Sequence, residues 1–397
     1  MDYSFSSRVN EMKSSAIREI LKITESPGVI SFAGGLPAPE LFPLAQIKEA
    51  FSEVLESGDA SALQYSTTEG YLPLRGMIAR SMAAKGITSG PEEVLLTNGS
   101  QQALDLLAKL FIDPGDTVVV EAPSYLGAIQ VFRSYQARFV AVPSDQGGII
   151  TEDLEKALRE HQPKLIYLTP TFSNPTGITM PLQRRREVAA LLERYNVPLI
   201  EDDPYGDLRY LGDPVPPIKT LDKTGLVIYL STFSKTIAPG LRLGWILAQP
   251  QLMTKLVLAK QGTDLHTGTL VQRAVNRYLE KNDVDGHIAL IRSQYGLRRN
   301  AMLDAMDRLF PPAVSWTRPE GGMFLWVALP PHMDSTPLLK EAVAEKVAYV
   351  PGSPFFTDGG GLNYLRLNFS NSTCPQIEEG IERMARLLNR HIENASY

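Results

Sequence analysis

The sequence predicts an α/β fold, with a large domain built on a mainly parallel sheet and a smaller α+β domain after it. Three observations carry this. Between residues 94 and 230, short apolar runs alternate with longer segments of helical period. The runs are apolar throughout, as suits strands buried on both faces by crossover helices. After about residue 285 the alternation weakens, and a second unit begins there. The expected domains are an N-terminal helix and loop over 1–45 that packs with the small unit, a large domain over 46–285, and a small domain over 286–397.

Taken in order, 7–23 reads as a helix ending near Ser26-Pro27-Gly28, with Arg18 between apolar positions and Ser14 and Ser15 one turn earlier. The stretch Phe32-Ala33-Gly34-Gly35-Leu36-Pro37-Ala38-Pro39-Glu40 is a loop, because its prolines break a helix and its glycines loosen one. Helical period resumes over 44–56. A polar loop at 64–71, which includes Tyr65, leads into a helix at 74–85. Strand 94–97, a turn at Asn98-Gly99-Ser100 and helix 101–111 follow. Then come strand 117–120, helix 125–134, strand 138–142, helix 151–161, strand 165–168, helix 181–195, strand 198–200 and strand 226–230. The C-terminal part supplies helix 285–309, strands 322–327 and 364–368, and helix 375–391.

Composition narrows the class. Of 397 residues, 44% are hydrophobic and 21% charged, which is ordinary for a globular protein long enough for two domains. Acidic residues outnumber basic ones by 44 to 39, and this balance argues against a nucleic-acid or anionic-membrane partner. The sole cysteine, Cys374, excludes an internal disulfide and fits a reducing compartment. No apolar stretch approaches the ~20 residues that cross a bilayer, and the first residues lack the pattern of a signal peptide. These features predict a soluble, cytoplasmic protein.

In an open parallel sheet, ligands bind beyond the carboxyl ends of the strands. After strand 226–230 stand Ser231-Thr232-Phe233-Ser234-Lys235 and then Gly240-Leu241-Arg242-Leu243-Gly244-Trp245. Hydroxyls and an arginine suit a phosphate, the arginine through a charge-assisted fork. A lysine beside them could form a Schiff base with an aldehyde that the phosphate anchors. Pyridoxal 5′-phosphate (PLP) is both aldehyde and phosphate ester. The stretch alone fits equally a strand end running into a polar loop, so the other strand ends decide.

Gly99 would let the backbone approach a phosphate, which the N–H groups of Ser100 and Gln101 could bind at the positive helix end. Ser100 also suits a plain helix N-cap. Tyr125, after strand 117–120, could stack on a flat ring or fill the core. Asn174, in Asn174-Pro175-Thr176-Gly177 after strand 165–168, serves a turn and could also donate to a phenolate oxygen. After strand 198–200 comes Glu201-Asp202-Asp203-Pro204-Tyr205. Three acids at a buried strand end are costly to leave unpaired. One aspartate could pair with a protonated pyridine nitrogen and keep the ring an electron sink, while Tyr205 could reach the ring's 3′-oxygen. No histidine lies near these acids, which disfavours a transition-metal site, and no metal is expected. Five strand ends therefore offer five complementary parts of one cofactor site.

These motifs, in this order and over nearly the whole chain, resemble the fold-type I, class I and II aminotransferases. The resemblance implies the PLP-dependent transferase fold type I with a seven-stranded sheet, and a homodimer with its active sites at the interface. It implies Lys235 as the Schiff-base residue and proton shuttle, Asp202 on the pyridine nitrogen, and Asn174 and Tyr205 on the 3′-oxygen. Ser100, Gln101, Thr232, Ser234 and Arg242 would bind the phosphate, Tyr125 would stack, and Tyr65 would reach across to the second subunit's phosphate. In Tyr364-Leu365-Arg366-Leu367-Asn368, Arg366 would fork onto the substrate's α-carboxylate.

The stretches Ser14-Ser15-Ala16-Ile17-Arg18-Glu19-Ile20-Leu21, 31–40, 63–66, 261–267 and Gly321-Gly322-Met323-Phe324 resemble the 2-aminoadipate and kynurenine aminotransferase group. That resemblance implies an N-terminal helix that covers the site, with Arg18 meeting a distal carboxylate such as that of 2-aminoadipate or glutamate. The alternative for Arg18 is the solvated face of an amphipathic helix. Ser15, Gly35, Tyr65 and Asn174 would also face the substrate. Members of the group accept aromatic, branched-chain and leucine-like donors, with acceptors such as 2-oxoglutarate. A C–S lyase or related elimination enzyme on the same scaffold would keep every cofactor residue. A ligand-sensing regulator fused to a winged helix is disfavoured, since the first helix is expected within about ten residues of the start and the charge balance is acidic.

Overall fold

The structure, a computed structural model, describes residues 3–11 and 28–394. The helix expected at 7–23 is described over Ser7–Glu11, and Ser14, Ser15 and Arg18 lie outside the described residues. A two-residue strand, β1 (Ile30–Ser31), comes first. The large sheet then collects β2 (Val94–Thr97), β3 (Thr117–Ala122), β4 (Arg138–Asp145), β5 (Gly148–Ile149), β6 (Leu165–Leu168), β7 (Leu199–Asp202), β8 (Val227–Thr232) and β9 (Gly244–Leu247) in the order β2-β9-β8-β7-β6-β3-β4-β5. Seven of these match the expected seven-stranded sheet. The eighth, β5, is a two-residue antiparallel partner at the β4 edge.

From β4 through β3, β6 and β7 to β8 every pairing is parallel. The helices Gly99–Phe111, Leu126–Ser134, Thr151–His161 and Leu182–Tyr195 make the crossovers. β2, β6, β7 and β8 are buried at every residue, and they read as short apolar runs that in β2, β7 and β8 end in polar residues at the carboxyl end. Each face of the sheet has its own core, one around Leu107, Val118, Tyr167 and Ile200 and the other around Val119, Ile166, Leu168 and Leu199. That alternation along β3, β6 and β7 is the period-2 signature of strands covered on both sides.

β9 is the element the pattern did not announce. It runs antiparallel between β8 and β2, pairing Thr232 with Gly244 and Thr97 with Gly244. Its apolar residues follow the glycine–arginine motif directly, with no crossover helix to mark a new strand. As a result it folds Gly244 back onto the same sheet end as Thr97 and Thr232.

The second sheet is antiparallel, with β10 (Ser315–Trp316), β11 (Phe324–Ala328), β13 (Val350–Pro351) and β14 (Tyr364–Asn368) in the order β10-β11-β14-β13, after β12 (Val347–Ala348) is set aside. The long helices Val284–Leu309 and Cys374–Asn394 pack together against it over a core that includes Met302, Met306, Ile381 and Leu388. β1 pairs in parallel with β12, and the Phe32 amide donates to Ala348 at 2.8 Å, so the N-terminal strand belongs to this second core. The loop after it is then carried back over the large sheet. No described helix is long and apolar enough to cross a membrane.

Candidate active site

The carboxyl ends of β3, β6, β7 and β8, the start of helix Gly99–Phe111 and the loop at Gly35 enclose one cavity of about 310 Å³. Every described residue assigned to the cofactor from sequence lines it except Tyr65. The cavity is also closed by Phe324 and Arg366, from β11 and β14 of the second sheet.

One corner is built for an anion. The helix begins at Gly99 with Asn98 as its cap residue, so Ser100 sits inside the first turn and is not the N-cap. Gly99 has φ +73°, and a Cβ there would lie 2.6 Å from Arg242 Nη2. Glycine is thus required both by conformation and by the approach of the guanidinium. Arg242 donates to Asn98 O and Pro239 O, each at 3.3 Å. From β8, Thr232 Oγ1 accepts the Ser234 amide at 3.1 Å and meets the Ser234 hydroxyl at 2.9 Å. Ser100 Oγ is buried with no partner. First-turn amides, hydroxyls and a guanidinium at the positive end of a helix suit a phosphate.

The three consecutive acids part company. Glu201 turns away and accepts the amides of Ile218 and Lys219, both at 2.8 Å. Asp203 accepts the Tyr229 hydroxyl at 2.6 Å and the Gly206 amide at 2.8 Å. Asp202 alone lines the cavity. Its Oδ2 accepts the Tyr167 hydroxyl at 2.8 Å, and its Oδ1 is buried without a partner. Burial raises the Asp202 carboxyl from its ordinary 3.8 to about 7, the Tyr167 hydrogen bond opposing and the Asp203 charge adding to the rise. A cation at Oδ1 would return it to the ionised form.

Lys235 lines the same cavity. Its Nζ donates to Gly35 O at 3.0 Å. Burial lowers its amine from 10.5 to about 8, helped by the charges of Arg366 and Arg242. The neutral, nucleophilic amine is therefore reached at a lower pH than for an ordinary lysine. Tyr205 and Asn174 meet beside it, and burial raises the Tyr205 hydroxyl well above its usual value.

Arg366 is 1% exposed and lies 4.3 Å from the Phe324 ring centroid. Its Nη1 donates to Asn174 Oδ1 and its Nη2 to Ala33 O, both at 2.7 Å, while Nε has no partner. Burial lowers it to about 10, which leaves it charged at neutral pH. It can thus present a cation to a carboxylate inside an apolar wall.

Tyr65 is 79% exposed and edge-on to His266, outside the cavity. Sequence reasoning missed Tyr167, Thr169 and Phe324, which also line it. Tyr167 lies within β6 rather than after it, where an aromatic reads as core.

The whole arrangement has a close counterpart in known proteins. The model of the aminotransferase class I and II family matches residues 29–384. The chain is 47% identical to aromatic-amino-acid aminotransferase 1 of Thermococcus litoralis over 99% of this chain and 96% of that protein. Among solved structures, the α-aminoadipate aminotransferase of Thermus thermophilus, complexed with N-(5′-phosphopyridoxyl)-L-leucine, superimposes with a TM-score of 0.92 at 42% identity, covering 98% of each chain. The kynurenine aminotransferase of Pyrococcus horikoshii gives a TM-score of 0.94 at 43% identity, over 98% of this chain and 97% of that one. With that match and the lysine, aspartate and arginines gathered in one cavity, this chain belongs to the class I and II aminotransferases, on the fold-type I scaffold.

Proposed function

We propose that this aminotransferase uses PLP to move an amino group between an amino acid and a 2-oxo acid such as 2-oxoglutarate. The donors proposed are 2-aminoadipate, glutamate, aromatic and branched-chain or leucine-like amino acids. The observation that carries the reading is a single cavity lined by Ser100 with an unpartnered Oγ, Asp202 with an unpartnered Oδ1, and the Lys235 amine. These are the donors and acceptors that a phosphate ester bearing a basic ring nitrogen and an aldehyde requires.

When bound, PLP would supply the electron sink and the carbon that carries the nitrogen. Ser100, Gln101, Thr232, Ser234 and Arg242 hold the phosphate, and Tyr125 packs against the ring. Asp202, whose Oδ2 is already fixed by Tyr167, would pair with the ring nitrogen. Asn174 and Tyr205 hold the 3′-oxygen. Lys235 would hold the aldehyde as a Schiff base and could carry the proton at the substrate's α-carbon. Arg366 orients the α-carboxylate through its free Nε edge.

The reactive form of Lys235 is the neutral amine, so its pH dependence has a definite sign. Below about 8 the amine is protonated, and the rate of PLP uptake by cofactor-free protein should rise roughly tenfold per pH unit, then level off above about 8. Stopped-flow absorbance against pH measures this. A flat rate between pH 6 and 9 would contradict it.

The enzyme is further proposed to work in the cytoplasm as a homodimer, with Tyr65 completing the other subunit's site. Leu63 and Tyr65, 72% and 79% exposed, leave apolar surface beside His266 that a second copy would cover. Donor choice is tested with a panel of amino acids and 2-oxoglutarate on the wild type and Arg18→Ala. If Arg18 reads a distal acid, the variant raises KM for 2-aminoadipate and glutamate about tenfold or more, the scale of a lost charged hydrogen bond, and leaves leucine nearly unchanged. Equal losses on all donors would sink the assignment of Arg18. Pyruvate and ammonia from cysteine conjugates, without amino transfer, would move the enzyme to the C–S lyases.

A further inference from the structure

Behind the anion corner, and outside the cavity, lies a half-buried polar cluster around one buried lysine that the chemistry above does not use. Lys260, at the end of helix Pro250–Gln261, is 0% exposed. Its three ammonium hydrogens are met by Asp264 Oδ1 and Oδ2, both at 2.9 Å, and by Gln102 Oε1 at 2.8 Å. Asp264 Oδ2 also accepts the Asn98 side-chain amide and the Gln102 side-chain amide, both at 2.7 Å. Gln102 Oε1 accepts the Asn98 backbone N–H at 2.8 Å.

Two of these bonds end on Asn98, and the others tie their acceptors to Lys260 and to each other. The Asn98 side chain and its backbone N–H are both fixed from this side, while its carbonyl accepts from Arg242 on the cavity side. Gly99 follows at φ +73°, with its Cα face against the same guanidinium. The Asn98–Gly99 turn sets where the Ser100 and Gln101 amides point. A small rotation of that turn would misdirect both.

A buried ion pair is poor evidence of added stability, because desolvation cancels most of the attraction and apolar residues of similar volume do as well. Here burial lowers the Lys260 ammonium and the Asp264 charge opposes that. What such a cluster does supply is orientation, since four donor groups share three acceptor oxygens.

We propose that Lys260, Asp264 and Gln102 are positioning residues for the cofactor's phosphate, acting through the Asn98–Gly99 turn. None of them touches the phosphate. The proposal rests on the PLP reading and deepens it, by naming the residues that preorganise one subsite of that pocket.

The test separates the phosphate from the ring. PLP and pyridoxal, the same aldehyde without its phosphate, are titrated into cofactor-free wild type and Lys260→Met, following absorbance and tyrosine-tryptophan fluorescence. The wild type should bind PLP far more tightly than pyridoxal. In Lys260→Met the Kd for PLP should rise at least about tenfold, while that for pyridoxal stays within about threefold, because only the preorganised phosphate subsite is lost. Gln102→Met, which keeps the Lys260–Asp264 pair, should show the same selective loss and stands in if Lys260→Met does not fold. Equal weakening of both ligands, or no change in either, would overturn the positioning role. A wild type that binds PLP no better than pyridoxal would instead overturn the PLP reading itself.

Discussion

Lys235→Ala is expected to lower transamination by on the order of 10⁴-fold, the upper range of what a positioned acid–base group contributes. The reason is geometric as well as chemical. No other described amine lines the cavity, and the Lys235 ammonium is destabilised there by burial and by two arginines. Removing it deletes the nucleophile and the proton carrier together. The variant should still fold, because the one hydrogen bond lost, to Gly35 O, is worth roughly 1 kcal/mol. It should also still bind PLP through the phosphate corner. Borohydride reduction followed by peptide mass analysis distinguishes the two proteins: the wild type should carry the reduced cofactor on Lys235, the variant nowhere. A variant within about tenfold of wild-type turnover would mean that another group does this work.

Asp202→Asn should cost on the order of 10³-fold in turnover while leaving the fold intact. The amide keeps the shape and can still accept the Tyr167 hydroxyl, so the change is mainly the loss of one charge. Removing one partner of a buried ion pair costs about 3–5 kcal/mol, which converts to a rate effect of this size when the pair acts in the transition state. Because burial already raises the aspartate to about 7, the charge persists only where a cation faces Oδ1. Steady-state kinetics with saturating PLP measures the loss. If Asp202→Asn matched the wild type, the carboxylate would not be sustaining an electron sink.

Much of this site is legible in the sequence, and the physical reason is the parallel sheet. A sheet with crossover helices delivers every strand's carboxyl end to one edge, so Ser100, Tyr125, Asn174, Asp202 and Lys235 could be gathered from strand ends alone. What stayed hidden depended on contacts between distant parts of the chain. Tyr167 reaches Asp202 from within an apolar strand, and strand composition says nothing about where a hydroxyl points. Arg366 is held by Ala33, more than three hundred residues away, through the loop that follows β1. Nothing in the local pattern sets that distance. β9 was obscured because an antiparallel return needs no helix, so Gly240–Trp245 read only as a phosphate loop. The Lys260 cluster left no trace either, since a lysine in a helix ordinarily reads as surface.

The central claim is that this cavity exchanges amino groups, and the most direct measurement is a single half-reaction. Protein carrying bound PLP is mixed with a donor amino acid and no acceptor, and the cofactor absorbance and released 2-oxo acid are followed together. The account predicts that one donor among glutamate, 2-aminoadipate, aromatic and branched-chain amino acids converts the cofactor to its amine form. It should release one equivalent of the matching 2-oxo acid per bound cofactor and then stop until 2-oxoglutarate is added. Continued release of a 2-oxo acid with free ammonia and no acceptor would contradict it and identify an elimination enzyme.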